Sequence, residues 1–214
     1  MKSTIFPNKA ALIEALVRPE DRVLDIGFWG QGVSAADANW PHRLLIGRAR
    51  EVWGIDLEYD DSALPQDAGR YRRASAESFD LGGERFDLVF AGDLIEHLPN
   101  PGLFLDAAAR HLAPGGRLVV TTPSAFNLFN LFEKLSKREP TVNPDHTCYF
   151  NEKTLRQLFA KCGWSVDAVR FVYSLGVRHR ESWKKKAQNL LYALLAKATD
   201  KFAETIVVVA SPRR

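Results

Sequence analysis

Cysteine is scarce in this chain: among 214 residues only Cys148 and Cys162 occur, with no Cys-x-x-Cys spacing. That excludes a disulfide framework and argues against a zinc site, and a reducing cytoplasm is the simplest setting. Long apolar runs are also missing. No stretch reaches the ~20 residues a membrane-spanning helix needs, and Met1-Lys2-Ser3 opens onto no signal-type segment, so a soluble or at most peripheral protein is expected. No charge sign dominates. With 29 basic against 26 acidic residues the net charge is +3, too even for a nucleic-acid binder, and any basic partner surface must be local. Repeats, low-complexity tracts and a dividing linker are absent as well. What is present is 46% hydrophobic residues in a length that suits one domain, 1–214, with a real core.

The chain is organised around residues 23–32, Val-Leu-Asp-Ile-Gly-Phe-Trp-Gly-Gln-Gly. Val23, Leu24 and Ile26 read as a buried strand, and Gly27, Gly30 and Gly32 after it let the backbone turn sharply and approach a ligand closely. Such loops also occur as plain tight turns, so the rest of the chain has to decide. Asp25 lies inside the apolar strand, where an unpaired carboxylate is costly; a hydrogen bond to the glycine turn or to a cationic ligand group is expected.

Around this stretch, apolar spacing predicts a helix over 7–18 that caps the site from outside, with Pro7 in its first turn. A second helical region follows over 33–50, broken near Trp40-Pro41. Residues 52–56 form a strand ending in Asp56, which lies 24 positions after Gly32. Strand, glycine loop, helix, strand and acid make a βαβ unit whose carboxylate stands near the distance used to bind ribose hydroxyls. Residues 60–69 are turn-rich, 70–74 a short strand, 86–91 a buried strand, 101–112 a helix stopped by Ala113-Pro114-Gly115-Gly116, and 117–122 a fifth strand. This alternation predicts a parallel sheet covered on both faces. Beyond it, Ala125, Leu128, Phe129, Phe132 and Leu135 share a helical face, a loop fills 139–145, and Asn151 caps a helix over 154–161. Strands over 164–173 and 205–210 complete the chain.

The motif order resembles the class I S-adenosylmethionine-dependent methyltransferases over residues 21–164. The resemblance rests on Leu24-Asp25-Ile26-Gly27 with its loop, Gly54-Ile55-Asp56-Leu57, Phe86-Asp87-Leu88-Val89, Glu96-His97-Leu98 and Leu112-Ala113-Pro114-Gly115-Gly116. Thr122-Pro123-Ser124 and the Asp145-His146 segment running to Phe150 resemble the branch containing quinone-pathway and glycan-associated O-methyltransferases. The family implies an α/β, doubly wound, mostly parallel seven-stranded sheet with an antiparallel last strand and helical lid insertions, about 124–145 and 176–203. It implies S-adenosyl-L-methionine as cofactor. Gly27, Gly30 and Gly32 would hold its methionine part with Asp25 near the amino group, Asp56 would bind the ribose, and Leu57 would flank the adenine. Ser75-Ala76-Glu77 falls where the family has an acid on the adenine amine, so Ser75 or Glu77 would substitute. Gly92 and Asp93 would line the methyl-transfer pocket.

The loop departs from the family's Gly-x-Gly-x-Gly by one extra residue, either bulging around Phe28 and Trp29 or displacing a glycine. An indole there could stack near the sulfonium; alternatively both rings pack the loop against the first helix. Methyl transfer needs positioning, exclusion of water and, for a hydroxyl acceptor, a destination for the proton. A lid of Phe126, Phe129 and Phe132 leaves His146 as the nearest base, with Asp93 and His97 behind it; the competing reading is that His146 anchors its loop. His42 and His111 read as surface or packing residues, and the two cysteines as small apolar groups. Asp145, His146 and Cys148 are too isolated for a metal site, so no metal is expected. Residues 178–201 carry seven Lys or Arg against two acids. They suit either a basic amphipathic helix on an anionic membrane, peripheral to the inner face, or an ordinary helix packed on the sheet. The acceptor expected is a small molecule, lipid or glycan precursor methylated at oxygen. Gly30-Gln31-Gly32-Val33-Ser34-Ala35 keeps an NAD(P)-dependent oxidoreductase open as an alternative, and the altered loop a non-catalytic cofactor-binding scaffold.

Overall fold

The computed structural model describes residues 5–30, 36–65, 70–137, 139–140, 143–173, 190, 194 and 199–213. Its strands are β1 (Ile5–Phe6), β2 (Arg22–Ile26), β3 (Glu51–Asp56), β4 (Arg70–Arg73), β5 (Phe86–Gly92), β6 (Leu112–Pro123), β7 (Trp164–Val172) and β8 (Thr205–Pro212). They form one sheet in the order β1-β7-β8-β6-β5-β2-β3-β4. Among the described residues every strand pairing is parallel except those of β8, which runs antiparallel between β6 and β7. The helices are α1 (Lys9–Leu16), α2 (Pro41–Ile46), α3 (Pro101–His111), α4 (Leu128–Ser136) and α5 (Glu152–Lys161).

Successive strand residues point to opposite faces, and the core divides accordingly. Val23, Val52, Leu88 and Val119 join Leu12 and Ile13 of α1 and Leu45 of α2 in one cluster. Leu24, Trp53, Val89 and Val120 join Phe104 of α3 and Leu155 of α5 in another. The alternation decides where Asp25 points. Two positions after Val23, it shares the face covered by α1 and α2.

The expected doubly wound sheet is present with one strand more than predicted. Ile5 and Phe6 pair with Phe171 and Val172 of β7; a two-residue edge strand is too short to show a period. Pro7 lies outside α1, because Asn8 is the N-cap and its side chain accepts from the Ala11 N–H at 2.8 Å. Residues 36–40 form turns rather than part of a helix, so of the region 33–50 only α2 is helical in the described residues. β6 begins at Leu112, five residues before the expected start. Phe86 pairs with Leu112 but Leu88 with Arg117, so Ala113-Pro114-Gly115-Gly116 bulge out of the ladder, helped by Gly115 at φ +82°. Most of 176–203, with the basic stretch 178–201, lies outside the described residues.

The insertion expected over 124–145 contains α4. In α4 Leu128 is buried and Phe129 packs on the core, but Phe126 is 66% exposed and Phe132 43%. Leu131, Phe132 and Leu135 of this helix are exposed as well, so much of its apolar side faces solvent.

Candidate active site

The C-terminal ends of β2, β3 and β5 meet where ligands bind in open parallel sheets. Gly27 takes φ +72° and Gly30 φ +88°, the left-handed region that glycine enters without strain. A Cβ on Gly27 would stand 2.8 Å from Leu94 Cδ1, whereas one on Gly30 would meet nothing within 4 Å. The first glycine is thus required by packing and the second faces open space. A cavity of about 50 Å³ lies beside them, its wall including Lys9, Asp25, Trp29 and Gly92. Gly32 lies outside the described residues.

The additional loop residue is absorbed by an aromatic cluster. Phe28 is buried with its ring 4.7 Å from His42 and 5.3 Å from both Tyr59 and Tyr71, and its carbonyl accepts from Trp40 Nε1–H at 2.9 Å. Gly54 makes the room: a Cβ there would lie 2.8 Å from Phe28 Cδ1. Phe28 therefore packs the loop against β3, β4 and the start of α2, not against α1 as the packing alternative had it. Trp29, half-buried, lines the cavity.

Asp25 is buried and its Oδ2 lies 2.8 Å from Nδ1 of His42, also fully buried. Burial pushes the Asp25 carboxyl up, and the hydrogen bond and charge of His42 oppose the rise. The partner of Asp25 is thus a side chain of α2, not the glycine turn, and His42 is no surface residue. Asp56 accepts the Trp29 N–H at 2.9 Å and the Glu58 N–H at 3.4 Å, so it latches the glycine loop from the end of β3. Burial raises its carboxyl, against the Trp29 N–H. Leu57 beside it is 67% exposed, an apolar side chain bare at the position implied for an adenine. Ser75 and Ala76 follow β4. Glu77 is committed elsewhere, accepting from the Asn100 N–H at 2.7 Å and from Asn100 Nδ2 at 3.2 Å at the start of α3.

At the end of β5, Asp93 takes φ +49°, a left-handed conformation that Asp tolerates better than most side chains. Its carboxylate is paired with Lys9 Nζ and accepts from Thr121 Oγ1 at 2.8 Å. Burial acts to raise its carboxyl, but Lys9 and Thr121 outweigh it and the net shift is downward. A carboxylate held ionised in this way is a poor proton acceptor, which corrects its place among the candidate bases.

Two turns bring the remaining groups together. The turn Ile95–His97 carries Glu96 and His97, and the Thr147 and Cys148 N–H groups donate to the Glu96 backbone carbonyl at 2.8 and 3.2 Å, docking the His146 loop on it. The His97 and His146 rings meet edge to face, centroids 4.6 Å apart. Glu96 is 2% exposed; its Oε2 accepts from Thr122 Oγ1 at 2.9 Å and its Oε1 has no partner among the described residues. Burial, with Asp93 adding to it, pushes this carboxyl up to about 8. Burial and the charge of His97 hold His146 below the ordinary imidazole range. One carboxylate oxygen and two imidazole nitrogens lie within 4.8 Å of one another, a spacing that one bridging water can span, and they are of the kinds that could also converge on a divalent cation. His146 is therefore not isolated. Glu96 and Lys9 were missed by the sequence reading. An acid amid Leu94, Ile95 and Leu98 was a signal for the first; nothing local marks Lys9. His111 does pack: it is buried, and its Nε2 accepts from the Leu81 N–H at 3.0 Å.

The strand order, the glycine turn after β2 and the acid closing β3 define the class I S-adenosylmethionine-dependent methyltransferase fold. Comparison with known proteins agrees. A family model described as "Methyltransferase domain" matches residues 5–169. A ubiquinone biosynthesis O-methyltransferase of Bartonella tribocorum is 26% identical over 186 residues, 82% of this chain and 72% of that protein. One from Cereibacter sphaeroides is 34% identical over 161 residues, 72% of this chain and 64% of that protein; several other curated relatives are matched over about half their length or less. A SAM-dependent methyltransferase structure from Archaeoglobus fulgidus superposes with a TM-score of 0.60 at 16% identity, covering 94% of this chain and 92% of that one, and shares the fold. The chain belongs to the methyltransferase-domain family. It is an S-adenosylmethionine-dependent enzyme, which sets aside the oxidoreductase and scaffold alternatives.

Proposed function

We propose that this protein methylates a hydroxyl group of a small, partly apolar acceptor, and that the Glu96, His97 and His146 cluster takes up the hydroxyl proton. The observation that carries this reading is the convergence of these three side chains next to Asp93 at the end of β5. Relatives named as ubiquinone biosynthesis O-methyltransferases support oxygen as the methylated atom.

Bound S-adenosylmethionine supplies an already activated sulfonium methyl. The chain's own residues fit it: open space at Gly30, a carboxylate at Asp25 for an ammonium, a cation at Lys9 for a carboxylate, Asp56 for the ribose diol and bare Leu57 for the base. Gly92 forms part of the same cavity wall. In transfer to a hydroxyl acceptor, His146 would be the group that takes the hydroxyl proton. Its depressed basicity keeps it neutral and ready at physiological pH. Glu96 lies behind it with its carboxyl kept neutral by burial, so the proton rests on the imidazole side of the cluster. The lipid-like character of the acceptor is supported by exposed Phe126, Leu131, Phe132 and Leu135 along α4.

Incorporation of labelled methyl into pools of hydroxylated metabolites and lipid precursors tests the reading; product labelled only at nitrogen or carbon refutes it. With an acceptor identified, His146→Ala is expected to lower kcat by ~10²-fold or more while cofactor affinity holds. Full turnover in the folded variant removes His146 as the base.

A further inference from the structure

The Asp25 and His42 pair has no part in the proton chemistry above, yet Asp25 forms part of the wall of the cavity beside the glycine turn. Three choices in the sequence produce it. Asp25 points to the face covered by α2 because it lies two positions after Val23. His42 lies three positions before Leu45, which anchors α2 to that face, so both side chains project onto the sheet. Gly54 leaves the imidazole its space, since a Cβ there would stand 3.1 Å from His42 Cε1. On the far side of the ring, His42 Nε2 and the Tyr71 hydroxyl are buried and have no partner among the described residues. Nδ1 is the one ring nitrogen engaged.

We propose that His42 is a positioning residue for cofactor binding: donating from Nδ1–H, it keeps the Asp25 carboxylate ionised and aimed at the cofactor's ammonium. The inference rests on the reading of the β2 end as the cofactor site. A carboxylate this deeply buried tends to take up a proton, and a protonated Asp25 cannot balance an ammonium. The groups that face Asp25 are Lys9 from α1, His42 from α2, Asp56 from β3 and Tyr71 from β4. Lys9 is shared with Asp93, Asp56 repels a second negative charge, and the Tyr71 phenol, raised to about 12, stays neutral. Among the described residues His42 alone hydrogen-bonds the carboxylate.

The test uses two probes, S-adenosylhomocysteine, which carries the ammonium, and methylthioadenosine, which lacks the whole amino-acid end. In calorimetry, His42→Phe is expected to weaken S-adenosylhomocysteine binding by about 10- to 100-fold, as for loss of a hydrogen bond to a charged group, with methylthioadenosine affected less than about threefold. The loss shrinks as pH is raised over the range in which the ammonium keeps its proton, because Asp25 regains its charge. Wild-type affinity stays flat over that range, and His42→Asn, which retains an N–H near the Nδ1 position, restores most of the binding. Equal loss of both probes, or unchanged S-adenosylhomocysteine affinity, overturns the proposal. Nitrogen-15 NMR of the wild-type imidazole needs no variant to fold: a protonated Nδ1 is expected, and a bare Nδ1 facing a protonated Asp25 overturns it. A wild-type protein that binds neither probe refutes the cofactor-site reading itself, a failure distinct from discrimination lost only in the variant.

Discussion

Glu96 carries a cost that can be measured. In the unfolded chain its carboxyl titrates near 4.5, and in the folded protein burial raises it to about 8. Below the lower value both states hold the proton and the group is neutral to stability. Between the two values only the folded state keeps it, so the unfolded state gains relative stability by up to ~1.36 kcal/mol for each pH unit. Stability therefore falls as pH rises through this window, by about 5 kcal/mol once pH reaches the folded value, and levels off above it. Glu96→Gln keeps the shape and removes the ionisation. All other titrating groups are common to both proteins, so the difference between their Tm curves isolates Glu96. For a domain of this length ~1 kcal/mol corresponds to about 2 °C. The variant should match the wild type near pH 4.5 and exceed it by roughly 10 °C near pH 8 in scanning calorimetry. Parallel curves across that range would refute the assignment of a buried, protonated Glu96.

Other substitutions probe the cofactor side and the loop. Asp56→Ala should weaken S-adenosylmethionine binding by roughly 1.5–3 kcal/mol in calorimetry, the scale for a hydrogen bond to a charged group; unchanged affinity in a folded variant counts against the ribose assignment. Gly54→Ala places a methyl 2.8 Å from Phe28 Cδ1, and overpacking of that kind should cost about 1–3 kcal/mol in urea unfolding. An unchanged midpoint would show that the Phe28 ring is not fixed where it packs. Asp93→Asn leaves Lys9 without its carboxylate partner; loss of a mostly buried charge-assisted bond should lower stability by about 1.5–3 kcal/mol, and an undiminished Tm would show that the pair is idle.

The strands β2, β3, β5, β6, β7 and β8, the helices α3 and α5 and the glycine turn were all legible in the order of residues. Each is written locally, in apolar runs, caps and glycines whose spacing acts over a few positions, and the sheet follows because such alternation has few ways to bury both faces. The family motifs carried the cofactor for the same reason: Asp25, Gly27 and Asp56 lie at fixed offsets within one βαβ unit. The partners of those residues were decided elsewhere. Lys9 meets Asp93 across 84 positions, Thr147 docks on Glu96 across 51, and Asp25 reaches His42 only because α2 lies over its face of the sheet. Which element Phe28 packs the loop against depended on the hollow that Gly54 leaves in a different strand. Sequence spacing determines which faces are apolar and where the backbone can turn. The charge state of a buried group depends on its neighbours in space, and those exist only once the chain has packed.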